Sequence, residues 1–198
     1  MRRDATWTGL PVRAVAAKLL ARVRSGQGSL ADALPEADAV LMDRRDRALL
    51  RLSLYSTLRS YFRQQSRLRG LLDKPLARAQ HEVEALLLIA LTQLSDGIDS
   101  EYGVVDSSVD AVRALGYPQL AGLVNAVLRR AQREEADAGT EGHPSDEARF
   151  NHPQWLIDRI RVDWPEQADS ILHANNAEPP LWLRCNRRVL DRATLIEQ

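Results

Sequence analysis

The stretch AGLVNAVLRR, residues Ala121 to Arg130, decides how this chain is read. Leu123, Ala126 and Val127 recur at helical spacing, and Val124 and Leu128 add a second apolar line. A helix that is apolar over most of its circumference belongs inside a core, so this one is expected to be central. Asn125 interrupts the run and is expected as a buried amide satisfied by a neighbouring backbone group. Arg129 and Arg130 close the helix where its dipole favours cations.

Outward from this stretch the same period recurs. Val83, Leu86, Leu87, Ile89, Ala90, Leu91 and Leu94 make His81 to Leu94 a strongly buried helix. Val105, Val109, Val112 and Leu115 form another, capped near Asp99 or Ser100 and ended by Gly116. Nearer the start, Val12, Val15, Ala16, Leu19, Leu20 and Val23 give an amphipathic helix over Pro11 to Arg24. Ser29 is expected to cap a short helix, Leu30 to Leu34, stopped by Pro35. Asp43 caps a long helix running to about Leu68, with Ala48, Leu49, Leu52, Tyr55, Leu58 and Phe62 as its core stripe. The fold class expected is all-α, with Leu52, Leu58, Leu87, Leu91, Val124 and Val127 inside.

Formal net charge is zero, but it is unevenly divided. Residues 1–70 carry 14 Lys and Arg against 6 Asp and Glu, whereas residues 71–198 carry 13 against 21. Segment 43–69 alone has eight arginines against two aspartates. Arg44, Arg47 and Arg51 lie about one turn apart, as do Arg59, Arg63 and Arg67. Guanidinium forks bind phosphate and stack on exposed bases, so an anionic partner such as RNA fits this face. Solvated arginines serving as helix formers fit the composition equally well.

From Gln132 to Ala148 apolar residues nearly vanish, while Glu134, Glu135, Asp137, Glu141, Asp146 and Glu147 accumulate among glycines. That composition predicts a flexible acidic linker. Beyond it, Pro153 and Pro165 start two helices, and Pro179-Pro180 breaks the chain. Leu181, Leu183 and Cys185 then alternate with Trp182, Arg184 and Asn186, the period of a strand. Cys185 is expected to face a core, and Asp191 to cap the start of a helix from Arg192. A single strand leaves its backbone groups unpaired, so the chain is expected to be the N-terminal piece of a longer protein.

Chemistry-bearing motifs are sparse. One cysteine permits no internal disulfide or cysteine metal cluster. His81-Glu82 lacks HExxH spacing, and Gly26 and Gly28 follow no strand and precede no Gly-Lys-Ser/Thr. The N-terminus has no apolar signal core, and the longest apolar run, Ala85 to Leu91, is too short to span a bilayer.

Three stretches carry a resemblance to a known family. GLVNAVLRR resembles the last core helix of NusB-like domains, in the version carried by bacterial ribosomal RNA cytosine-C5 methyltransferases of the RsmB (Sun) family. DRRDRALLRLSLYSTLR, Asp43 to Arg59, resembles that family's long arginine-rich helix, with Ser56 where the family usually has Gly. NHPQWLIDRIRVDWPEQADSILHANNAEPPLWLRCNR, Asn151 to Arg187, resembles its connection into the methyltransferase part.

The resemblance implies a NusB-like helical RNA-binding domain over 1–132, the acidic linker over 133–149, and connecting helices with the first strand of a methyltransferase part over 150–198. It implies an RNA-binding, substrate-positioning module of a 16S ribosomal RNA cytosine-C5 methyltransferase. The RNA-binding residues would be Arg44, Arg47, Arg51, Arg59 and Arg63, assisted by Arg22 and Arg24. In the family, S-adenosylmethionine and the cysteine nucleophile belong to the catalytic domain. No catalytic, cofactor-binding or metal-binding residue is therefore expected here, and this chain alone should be inactive. The partners implied are small-subunit ribosomal RNA and the protein's own C-terminal methyltransferase domain. A weak homodimer is left open, no membrane is involved, and the location is cytoplasmic. A free-standing NusB-type antitermination factor and a purely structural helical domain remain the alternatives.

Overall fold

The computed structural model describes Trp7 and residues 9–98, 100–136, 145–177, 180, 184–186, 188–189 and 191–196. The expected all-α class holds: these residues form eleven α-helices and no strand. They are α1 (Val12–Arg24), α2 (Leu30–Val40), α3 (Arg44–Arg59), α4 (Tyr61–Leu71), α5 (His81–Ser95), α6 (Glu101–Ala114), α7 (Ala121–Ala136), α8 (Asp146–Phe150), α9 (Gln154–Asp163), α10 (Ala168–Asn176) and α11 (Arg192–Ile196).

The centre of the bundle is α5. Val83 and every residue from Ala85 to Leu94 are buried, polar Thr92 and Gln93 included. A helix with no solvent face needs neighbours on all sides, and α1, α3, α4, α6 and α7 all pack on it. The closest partner is α1, which lays Ala14, Val15, Ala16, Ala17, Leu19, Leu20 and Ala21 into the core. Three buried residues tie these helices by polar contacts: Arg13 Nε donates to Gln93 Oε1 at 2.9 Å, and Gln93 Nε2 donates to Ser53 Oγ at 2.7 Å.

The helix that sequence places at the centre, α7, is one-sided. Val124, Val127, Leu128 and Ala131 are buried, whereas Gly122, Asn125 and Ala126 are exposed. Asn125 is therefore solvated and not a buried amide. Its helix packs against α6 and leaves its far side to an open cleft.

Three further boundaries differ from expectation. Pro35 does not stop α2, which continues to Val40. Ser29 and Asp32 close a reciprocal capping box, and burial of Ala33, Leu34 and Ala37 on either side holds the helix through the missing donor. The long arginine helix is broken at Ser60, whose ψ of 14° ends α3 and starts α4. The expected linker over 133–149 is partly helical: α7 continues to Ala136, and α8 starts at Asp146 under the Ser145 cap.

The core stripe of α3 is rotated from the expected one. Leu50, Ser53, Leu54 and Thr57 are buried, while Leu52 and Tyr55 are 49% and 47% exposed and Leu58 is half-buried. Leu87, Leu91, Val124 and Val127 lie inside as expected. Beyond the bundle, Phe150, Ile157, Ile160, Ala168 and Leu172 form a second small core under α8, α9 and α10. Residues 181–183, where the strand was expected, lie outside the described residues. Cys185 is half-buried.

Candidate nucleic-acid interface

Helix α3 carries the densest cationic sequence, and its backbone decides which arginines share a face. Asp43 caps it, accepting from the Arg45 N–H at 2.5 Å. Because Leu50, Ser53, Leu54 and Thr57 turn inward, positions 44, 51, 55 and 59 fall on the outward side at helical spacing. Arg44, Arg45 and Arg59 are exposed there, and Arg51 is partly exposed. Arg63 is exposed on α4, across the Ser60 break. Met42, 86% exposed, precedes this face.

Several of the expected binding arginines have structural partners. Arg51 grips both oxygens of Asp38 with its two terminal nitrogens. That hydrogen-bonded carboxylate holds the guanidinium above the ordinary arginine range. Arg47 Nη1 donates to the Leu41 carbonyl at 3.1 Å. Arg22 Nη1 pairs with Glu36 at 2.7 Å. Arg24 donates to Glu84 and to the Tyr61 hydroxyl, each at 3.0 Å, with its guanidinium 5.4 Å from the Tyr61 ring centre. Burial opposes the Arg24 charge, but Glu84 and Tyr61 outweigh it and raise its pKa. The structure thus brings Arg44, Arg51 and Arg59 onto one face and engages Arg22 and Arg24 in pairs of their own.

Tyr55 is the residue that sequence reasoning misplaced. Counted into the core, it stands outside, between Arg51 and Arg59, close enough to Arg51 to act on its charge. The signal that could have found it is the Ser53/Thr57 pair. Each is polar in letter but internally satisfied, Thr57 Oγ1 donating to the Ser53 carbonyl at 2.7 Å.

Two clefts flank α7. The larger, about 600 Å³, lies between α7 and the segment after α4, with Leu72, Leu76 and Leu123 in its wall and Lys74, Arg130 and Arg133 in its lining. The smaller, lined by Tyr102, Asp106, Asn125 and Arg129, places the Arg129 guanidinium 5.5 Å from the Tyr102 ring centre. No helix among the described residues is long and apolar enough to cross a membrane.

A helical bundle around one buried helix, faced by an arginine-rich helix, is the architecture, and its family follows from comparison. The NusB family matches residues 10–133, and the chain belongs to that family. Residues 152–198 match a second family, the RsmF/B-like methyltransferase ferredoxin-like domain. The chain is similar to proteins named ribosomal RNA small subunit methyltransferase B. It is 39% identical over 190 residues to the one from Xylella fastidiosa strain Temecula1, covering 96% of this chain and 42% of that protein. It is 42% identical over 178 residues to that of Pseudomonas putida, covering 89% of this chain and 40% of that protein. It is 35% identical over 176 residues to that of Escherichia coli O6:H1. The chain thus spans less than half the length of these relatives.

Proposed function

We propose that this chain is the RNA-binding, substrate-positioning module of a 16S ribosomal RNA cytosine-C5 methyltransferase. The observation that carries the proposal is the outward face of α3, where Arg44, Arg51 and Arg59 line up on a protein whose relatives are named for ribosomal RNA methylation. Arginines on one rigid helix contact successive phosphates and release counterions, which gives affinity without base specificity. Arg63 extends the track onto α4, while Arg47, Arg22 and Arg24 support it from their pairs.

The division that goes with this function is a NusB-like domain over 1–132, a connecting stretch over 133–149 and a methyltransferase-facing segment over 150–198. S-adenosylmethionine and methyl transfer to C5 are assigned to the catalytic part of the parent enzyme, in the cytoplasm. No step of that reaction is assigned to these residues. Small-subunit ribosomal RNA and the enzyme's own catalytic domain are the partners. The match of residues 152–198 to a methyltransferase-associated domain favours this function over a free-standing antitermination factor.

The test is a titration of the chain with a ribosomal RNA fragment at several salt concentrations. Arg44→Ala with Arg59→Ala should weaken binding and lower the slope of log affinity against log salt by about 0.7 per lost contact on a single strand. Circular dichroism should stay unchanged, because both side chains are exposed. If the double variant binds as tightly as the parent chain at low and moderate salt, the arginine face is not the positioning surface.

A further inference from the structure

We propose that the outward face of α3 is a stacking site for an unpaired base of single-stranded RNA, with the Tyr55 ring as its platform. This rests on the RNA-binding function above and names the form of RNA that the face takes.

The ring is nearly half exposed, beside the equally exposed Leu52. A tyrosine so placed keeps a large apolar face in water, while Leu54 and Ser53 take the buried positions beside it on the helix. No described residue hydrogen-bonds its hydroxyl, and about half of the residue is left in water. The charges around it define what covers it. Arg51 lies one turn before Tyr55 and Arg59 one turn after, each about 6 Å along the axis at 1.5 Å per residue. Arg44 lies farther along the same face, and Arg45 is exposed beside it. Asp38 holds the Arg51 guanidinium in a bidentate pair, within electrostatic reach of Tyr55. An apolar ring with exposed Arg59 and Arg44 on its face, and Arg51 held in its pair with Asp38, matches a flat base carried on an anionic backbone and fits a basic protein surface poorly.

The geometry also selects single strands. In an A-form duplex the bases are stacked inside, and its major groove is too deep and narrow for a side chain on a convex helix to read. Tyr55 therefore meets only a base that is already splayed out, as in a loop, a bulge or an end. The face thus combines sequence-independent phosphate contacts with sequence-tolerant stacking.

The experiment compares the chain with Tyr55→Phe and Tyr55→Ala against a mixed-sequence single-stranded RNA and a blunt RNA duplex. Fluorescence anisotropy gives the affinity, and a 2-aminopurine in the single strand reports stacking. Tyr55→Phe should bind the single strand within about twofold of the parent. Tyr55→Ala should lose about 5- to 160-fold and the 2-aminopurine signal, because that is the range for one stacked base. Its salt slope should not change, whereas losing Arg44 and Arg59 flattens it. Duplex binding should be equal for all three. Single-strand binding by Tyr55→Ala as tight as the parent overturns the stacking site and leaves the RNA-binding function standing. An equal loss in Tyr55→Phe overturns it too, since the hydroxyl and not the ring would then be in use. Failure of the parent chain to bind any RNA overturns both.

Discussion

The side-chain oxygen of Asn151 accepts the backbone N–H of Phe62 at 2.9 Å and that of Arg63 at 3.3 Å, from 89 residues away along the chain. Those N–H groups belong to the first turn of α4, which has no side-chain cap of its own. The first N–H groups of a helix lack internal partners, so Asn151 caps α4 in trans. It sits between the two family-matched regions and so fixes α8 to the arginine-bearing half of the bundle.

Asn151 also has a φ of 56°, the left-handed region that asparagine tolerates and most side chains do not. This separates its two roles by mutation. Asn151→Gly keeps the backbone conformation and deletes the cap, and should cost about 1 kcal/mol. Asn151→Ala deletes the cap and strains the backbone as well, so it should cost about 1 kcal/mol more. Urea unfolding gives the order, and hydrogen exchange should quicken at Phe62 and Arg63 in both. Equal stability of the glycine variant and the parent would show that the cap contributes nothing.

Gln93 is the second polar device, inside the bundle. It takes a hydrogen bond from Arg13 and gives one to Ser53, joining α1, α5 and α3 in the buried core. Gln93→Leu preserves volume and removes one hydrogen bond from Arg13 and one from Ser53. A hydrogen bond to a charged group contributes about 1.5–3 kcal/mol and a neutral one about 0.5–1.5 kcal/mol, so a loss of about 2–4 kcal/mol is expected. Gln93→Glu should be milder, because it keeps an acceptor for the Arg13 guanidinium. A drop under 0.5 kcal/mol in chemical denaturation of the leucine variant would contradict this.

The helices were legible because apolar residues recur every three to four positions, and α5 and α1 follow that rule closely. Much of what failed turns on a polar group satisfied by another group of the folded chain. Ser53 and Thr57 are inside because Gln93 and a backbone carbonyl satisfy them, and this rotates the α3 stripe away from Leu52 and Tyr55. At the Ser60 break, distant Asn151 supplies the cap that the first turn of α4 lacks. On the candidate site, sequence located the arginines on the right helix. It could not show that Asp38, Glu36 and Glu84 would claim Arg51, Arg22 and Arg24, since those pairs exist only after folding. The α7 helix misled for the opposite reason: its alanine and glycine look like core residues, but small residues cost little when left in water.

The rotated stripe makes a direct prediction on stability. Leu54 is fully buried and Leu52 is half exposed, although both are leucines two residues apart. Leu54→Ala should cost about 2–5 kcal/mol, the range for emptying a packed leucine site. Leu52→Ala should change stability by about 0.5 kcal/mol or less, as surface substitutions do. Thermal melts of the two variants side by side would decide it, and a larger loss for Leu52→Ala would return the stripe to the phase that periodicity alone suggests.

Acid sensitivity should be concentrated in the C-terminal helices. Asp146, at the start of α8, accepts a hydrogen bond from Arg161 Nη1 of α9 at 2.5 Å. That hydrogen bond holds the Asp146 carboxyl below the ordinary aspartate range, and the Arg161 and Arg149 charges add to it against desolvation. A pKa lowered on folding means that the folded state binds the proton less tightly than the unfolded one. The stabilisation is therefore complete above the unfolded value of about 3.9 and is lost as pH falls through the lower, folded value. The same guanidinium lies 5.6 Å from the Phe150 ring centre, and Arg149 lies 4.6 Å from it on the same ring. Protonating Asp146 should therefore loosen the second core before the main bundle. Asp146→Asn should be less stable than the parent at pH 7, with the gap closing below about pH 4 and narrowing in high salt. Hydrogen exchange read helix by helix should show residues 146–176 losing protection first in acid, while α5 stays protected. A gap that stays constant from pH 7 down to pH 2.5 would mean that the ionised carboxylate does not hold α8 to α9.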